Sequence, residues 1–124
     1  MTEDGFFAGH PFARQVYDRV REVLDELGPC QVRVGRSQIG FRRARGFAYL
    51  WIPGRYLRNP DADVVLSIAL GRQLRSPRFK EVVHPSGRTW MHHLEIHRLA
   101  DVDDEVRGWL AEAAAAASRS GPAA

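Results

Sequence analysis

The chain has 124 residues, 44% of them hydrophobic and 27% charged, with a formal net charge of +3. That length fits one hydrophobic core and excludes two independent ones. No apolar run approaches the roughly 20 residues of a membrane-spanning helix, and a single cysteine, Cys30, excludes an internal disulfide.

The chain opens Met1-Thr2-Glu3-Asp4-Gly5. It lacks the basic segment and apolar stretch of a secretory signal, so the cytoplasm is the expected compartment. Residues 1–9 read as a flexible start, with Phe6 and Phe7 available to tuck onto the body. Pro11–Leu27 reads as an amphipathic helix, because Phe12, Val16, Val20, Val23, Leu24 and Leu27 recur at spacings of three and four. Pro11 suits its first turn, and Gly28-Pro29 ends it.

Strands follow. Cys30–Val34 alternates, with Cys30, Val32 and Val34 on one face. Ser37–Arg43 is a second strand and Phe47–Ile52 a third, which is apolar on both faces and therefore belongs inside a sheet. Its alternation sets Phe47, Tyr49 and Trp51 against Ala48, Leu50 and Ile52. Arg55–Asp63 is a polar loop, and Val64–Leu70 a second doubly apolar strand. Lys80–His84 is a short strand and Arg88–His97 a longer one. Asp101 or Asp103 caps a last helix to about Ala117, whose stripe includes Val106, Trp109, Leu110 and Ala113. The expected fold is therefore α+β: a two-layer sandwich, with a mostly antiparallel sheet of five to six strands and the N- and C-terminal helices on one face. Residues 1–117 form the domain and 118–124 a flexible tail.

The charge is uneven. Residues 28–100 carry twelve arginines and Lys80 against four acids, a net charge of +9, while each flank is net −3. Arginine near Tyr49, Trp51 and Tyr56 is a combination that stacks bases and grips phosphates. No phosphate-loop, zinc-finger or RNA-recognition motif accompanies it. Along Arg88–His97, Met91, His93, Glu95 and His97 share one face, and Trp90, His92, Leu94 and Ile96 share the other. His93 and Glu95 are ligand types for Zn²⁺ or Fe²⁺. Extended spacing separates His93 from His97 by about 13 Å, too far to share one ion without a bend. His92 belongs to the apolar set and would hydrogen-bond Ser37 or Gln38 if those strands were neighbours. Cys30 has no helix N-terminus to activate it and reads as a small buried hydrophobe.

The combination Arg36-Ser37-Gln38-Ile39, Phe47-Ala48-Tyr49-Leu50-Trp51-Ile52-Pro53, Trp90-Met91-His92-His93-Leu94-Glu95 and an acidic helix with Trp109-Leu110 resembles a family of small bacterial proteins, domain of unknown function 5655. The resemblance covers roughly residues 5–113 and implies no activity, catalytic residue or cofactor.

The reading that follows is a non-enzymatic module binding a small anion or a protein. Its expected site joins Arg36 for charge, Ser37 and Gln38 for hydrogen bonds, Trp51 for stacking, and His92 and His93. The alternatives are nucleic-acid binding through the arginine-rich centre and metal-assisted hydrolysis through His93 and Glu95. A homodimer is a further expectation, since uncovered aromatics on a sheet face mark interfaces.

Overall fold

The computed structural model describes residues 2–119. A one-turn helix, α1 (Glu3–Phe6), comes first, capped by Thr2, whose hydroxyl accepts from the Gly5 amide at 3.0 Å. The expected flexible start is thus anchored: Phe6 and Phe7 are both buried and join the core. Helix α2 (Pro11–Leu27) keeps the range its apolar spacing predicts, with Pro11 at the first position. It buries Val16, Tyr17, Val20, Val23 and Leu24 along one face. Gly28 ends it at φ +121°, a conformation in which a side chain would be strained.

Six strands follow: β1 (Gln31–Val34), β2 (Ile39–Arg42), β3 (Gly46–Trp51), β4 (Val64–Leu70), β5 (Phe79–Ser86) and β6 (Thr89–Ile96). All pairings are antiparallel, and the order across the sheet is β1-β2-β3-β4-β6-β5. The doubly apolar β3 and β4 are its central pair, as their composition requires. Helix α3 (Asp104–Ala117) closes the chain, capped by Asp103, whose carboxylate accepts from the Val106 amide at 3.1 Å.

Both long helices cover one face of the sheet. Ile39, Phe41, Ala48, Leu50, Leu66, Ile68, Leu94 and Ile96 meet Tyr17, Val20, Val106 and Leu110 in one continuous core. The fold is the expected two-layer α+β sandwich. Arg43 ties the two helix ends together. Its guanidinium donates to the Leu27 carbonyl at 2.9 Å, the Pro29 carbonyl at 3.2 Å and the Ser118 hydroxyl at 2.9 Å.

Three sequence expectations shift. Strand β2 starts at Ile39 rather than Ser37, because the Gly35 amide bonds the Gln38 carbonyl and closes a loop there. Strand β5 is longer than Lys80–His84, running from Phe79 to Ser86 at the sheet edge, where Pro85 is tolerated. Phe47 does not share a face with Tyr49 and Trp51. Phe41 pairs with Ala48 and Arg42 with Gly46, so Phe47 is the extra residue of a bulge and turns into the core. Residues 120–124 of the expected tail lie outside the described residues.

Candidate functional site

The pairing register sets a row of side chains across the face without helices. Arg33 pairs with Gly40, Gly40 with Tyr49, Tyr49 with Ser67, Ser67 with His93, and His93 with Glu81. Two residues along the strands, Trp51 pairs with Val65 and Val65 with Glu95. Alternation puts all of these on the face opposite the core.

A polar chain runs through the middle of this face. The Trp51 indole N–H donates to the Ser67 hydroxyl at 3.1 Å, and Ser67 Oγ lies 2.6 Å from His93 Nδ1. An indole can only donate, so Ser67 accepts from Trp51, and the tautomer of His93 sets the direction of its second bond. Burial pushes the His93 pKa below the ordinary histidine value, which keeps the ring neutral at pH 7. The Trp51 and His93 rings meet edge to face at 6.4 Å between centroids. Ser67 is itself buried, with 3% of its surface exposed. Its hydroxyl holds two rings in place.

Around this chain lie three hollows in series. The central one is lined by Gln38, Tyr49, Trp51, Ser67, Met91 and His93. Towards β5, the loop after β3 folds back and encloses a cavity of about 440 Å³ between Pro53, Leu57 and Asp61 on one side and Trp51, Val65, Lys80, Glu81, His93 and Glu95 on the other. Lys80 bridges its rim, donating to Asp61 at 2.8 Å and to Glu95 at 3.1 Å. That contact holds the Asp61 carboxyl below the usual carboxylate range and raises the Lys80 ammonium. Towards β1, the third hollow is lined by Arg33, Gln38, Arg42 and Tyr49. The face is acidic at one edge, aromatic in the centre and basic at the other.

The expected site is therefore divided. Gln38, Trp51 and His93 come together on the helix-free face. Arg36 and Ser37 lie in the exposed loop between β1 and β2, beside the basic hollow. His92 faces the helices, fully buried, and takes no part. Two strands, β3 and β4, separate it from Ser37 and Gln38, so the bond expected to them is not made. Its Nε2 instead accepts from the Leu74 amide at 2.9 Å, and its Nδ1 donates to the Trp90 carbonyl at 3.0 Å. Burial lowers its pKa as well.

Glu95 holds Lys80 through one oxygen, and the other lies 3.8 Å from His97. Among the described residues, no group of three or more His, Cys, Asp or Glu side chains converges as metal ligands would. No helix of the described residues is long and apolar enough to cross a membrane.

Sequence reasoning passed over Ser67, and it grouped Lys80 with the basic centre rather than with Asp61 and Glu95. Ser67 had a signal: it is the one polar residue in the apolar run Val64–Leu70. Lys80 is the only lysine in the chain.

No curated protein matches the chain, and neither does any solved structure. A family model does match, over residues 3–114, and the chain belongs to that family, described as Domain of unknown function (DUF5655).

Proposed function

We propose that this protein is a non-enzymatic binding module whose working surface is the helix-free face of the sheet, centred on Trp51 and His93. The observation that carries the reading is the Trp51–Ser67–His93 chain. It fixes two aromatic rings in register beside a cavity of about 440 Å³. Pre-set aromatic surfaces with a few converging polar groups are what ligand and partner sites require. The ring of His93 offers its Nε2, Gln38 an amide, and Trp51 an apolar surface. The Ser67 hydroxyl, although 2.6 Å from His93 Nδ1, is buried, which speaks against its reaching a substrate.

The two alternatives have less support. Nucleic-acid binding draws on free cations: Arg72, Arg78, Lys80 and Arg98 pair with acids and Arg43 is spent on helix carbonyls, which leaves it Arg33, Arg36, Arg42, Arg58, Arg75 and Arg88. Metal-assisted hydrolysis through His93 and Glu95 would place a cation where the Lys80 ammonium already stands, 3.1 Å from Glu95.

The test is a thermal-shift series with small anions, nucleotides, divalent metals and short oligonucleotides on the wild type, Trp51→Ala and His93→Ala. A ligand for this face raises the wild-type midpoint, because it prefers the native state, and loses most of that effect in both variants. A shift retained in full by both variants would put the site elsewhere.

A further inference from the structure

We propose that the open half of the helix-free face binds a small aromatic phosphate monoester, its phosphate held by Arg33 and Arg42 and its ring laid over Tyr49 towards Trp51. This names the ligand class for the surface described above and rests on that reading.

The chain separates its charges. From Gly28 to Pro60 it holds seven arginines and no acidic residue. Arg43 is engaged with helix carbonyls, Arg45 with the Arg119 carbonyl and Arg55 with the Phe6 carbonyl. Arg33 and Arg42 make no ion pair among the described residues. Both line the same recess. Arg33 pairs with Gly40, and Arg42 stands two residues beyond Gly40 on β2. Such diagonal neighbours lie about 7–8 Å apart, close enough for two long side chains to converge on one anion.

The space between them is open because Gly40 carries no side chain. The Tyr49 ring lies 3.3 Å from where its Cβ would stand, and the Tyr49 hydroxyl reaches over Gly46, which pairs with Arg42. The recess has a volume of about 240 Å³ and is lined by Arg33, Gln38, Arg42 and Tyr49. Whole-ligand pockets usually span about 300–1,000 Å³, so this one suits a ligand's charged head. A phosphate monoester carries about −1.5 to −2 charges at pH 7 on three acceptor oxygens. Two guanidinium forks match that charge and those acceptors. A carboxylate brings one charge and two oxygens.

Gln38 and Tyr49 also line the central hollow, so the recess opens into it. Trp51 follows two residues after Tyr49 on β3, about 6–7 Å along the face. A flat ring attached to the phosphate therefore lies between the two aromatics. The loop after β3 covers the other half of the face and contributes no residue to either hollow. The cavity beneath that loop sets Asp61, Glu81 and Glu95 against Lys80 alone, which repels an anion and confines it to the open half.

The test is isothermal titration calorimetry with phenyl phosphate, inorganic phosphate and benzoate at about 0.1 M salt, where exposed charges more than about 10 Å away are screened. Phenyl phosphate should bind the wild type more tightly than either other probe. Arg33→Gln and Arg42→Gln should each weaken it roughly tenfold. Arg88→Gln removes an equal charge from the turn between β5 and β6 and should leave it within about twofold. Trp51→Ala should weaken phenyl phosphate and leave inorganic phosphate unchanged. Circular dichroism confirms that these variants fold.

A wild type that ignores phenyl phosphate up to about 10 mM, binding indifferent to Arg33→Gln, Arg42→Gln or Trp51→Ala, or benzoate bound as tightly would overturn the proposal. So would an oligothymidylate that binds more tightly than phenyl phosphate and depends on Arg88 as much as on Arg33, because the free arginines would then serve nucleic acid. The binding reading is judged separately. A Trp51-dependent thermal shift from another ligand class, with no phenyl phosphate binding, discards the phosphate and keeps the face. No Trp51-dependent shift with any ligand discards both.

Discussion

Ser67 on β4 sets its hydroxyl 2.6 Å from Nδ1 of His93 on β6, while accepting the Trp51 indole N–H at 3.1 Å. One small side chain thereby orients both rings of the candidate site. Ser67→Ala leaves two part-buried polar groups without their partner, which costs about 1–3 kcal/mol each when the burial is complete and less where water reaches them. The expected loss in chemical denaturation is about 1–3 kcal/mol in total. The His93 titration should also move, because its Nδ1 loses its partner. An unchanged His93 titration would show that the bond is not made in solution.

His92 and His93 are both held neutral by burial, so their folded pKa values lie below the ordinary histidine value. The unfolded chain therefore binds more protons as pH falls through about 6.5. Stability from these groups is fully present above that value and is lost as pH drops from about 7 towards 5. Denaturation at stepped pH should show that decline, and His92→Gln should flatten it. A stability that rises on acidification across this window would contradict the assignment.

Arg43 is the clip between helix ends, bonded to carbonyls of Leu27 and Pro29 and to the Ser118 hydroxyl. Charge-assisted bonds to helix C-terminal carbonyls are among the stronger ones. Arg43→Ala should cost about 2–3 kcal/mol, and Arg43→Lys should recover only part of it, since an ammonium cannot span the same carbonyls. Exposed Arg36, which has no such contacts, serves as the control with a loss within about 0.5 kcal/mol.

Tyr49 lies flat along the helix-free face, its ring 3.3 Å from where a Cβ on Gly40 would stand and its hydroxyl in the space a Cβ on Gly46 would take. Gly46→Ala must therefore push the Tyr49 ring out of place. Gly87→Ala meets nothing within 4 Å and is the matched control. Gly46→Ala is expected to destabilise by about 1–3 kcal/mol and to alter near-ultraviolet circular dichroism, whereas Gly87→Ala should do neither. Identical spectra for both would mean that Tyr49 does not lie across Gly46.

Much of the fold follows from local pattern. The apolar spacing of Pro11–Leu27 sets α2 to the residue, because a helix with one buried face repeats every three to four positions. The doubly apolar composition of β3 and β4 marks them as the central strands. Alternation along β6 correctly sends His92 to the core and His93 outward. What remained hidden is non-local. That β6 pairs with β4, leaving β5 outside, decides that Ser67 meets His93 and that Ser37 never approaches His92. Strand order is set by the whole sheet, and no short stretch of sequence encodes it. The bulge at Phe47 is hidden for a related reason: an extra residue in one strand is defined only against its partner.

The central claim is that the helix-free face is where this protein binds. The most direct measurement is a proton–nitrogen correlation spectrum during titration with whichever ligand class raises the thermal midpoint. The account predicts that the largest shifts fall on the Trp51 indole N–H, the His93 ring and the Gln38 and Met91 amides, with the Trp109 indole unmoved. Shifts clustered on α2 and α3, with Trp51 silent, would contradict it.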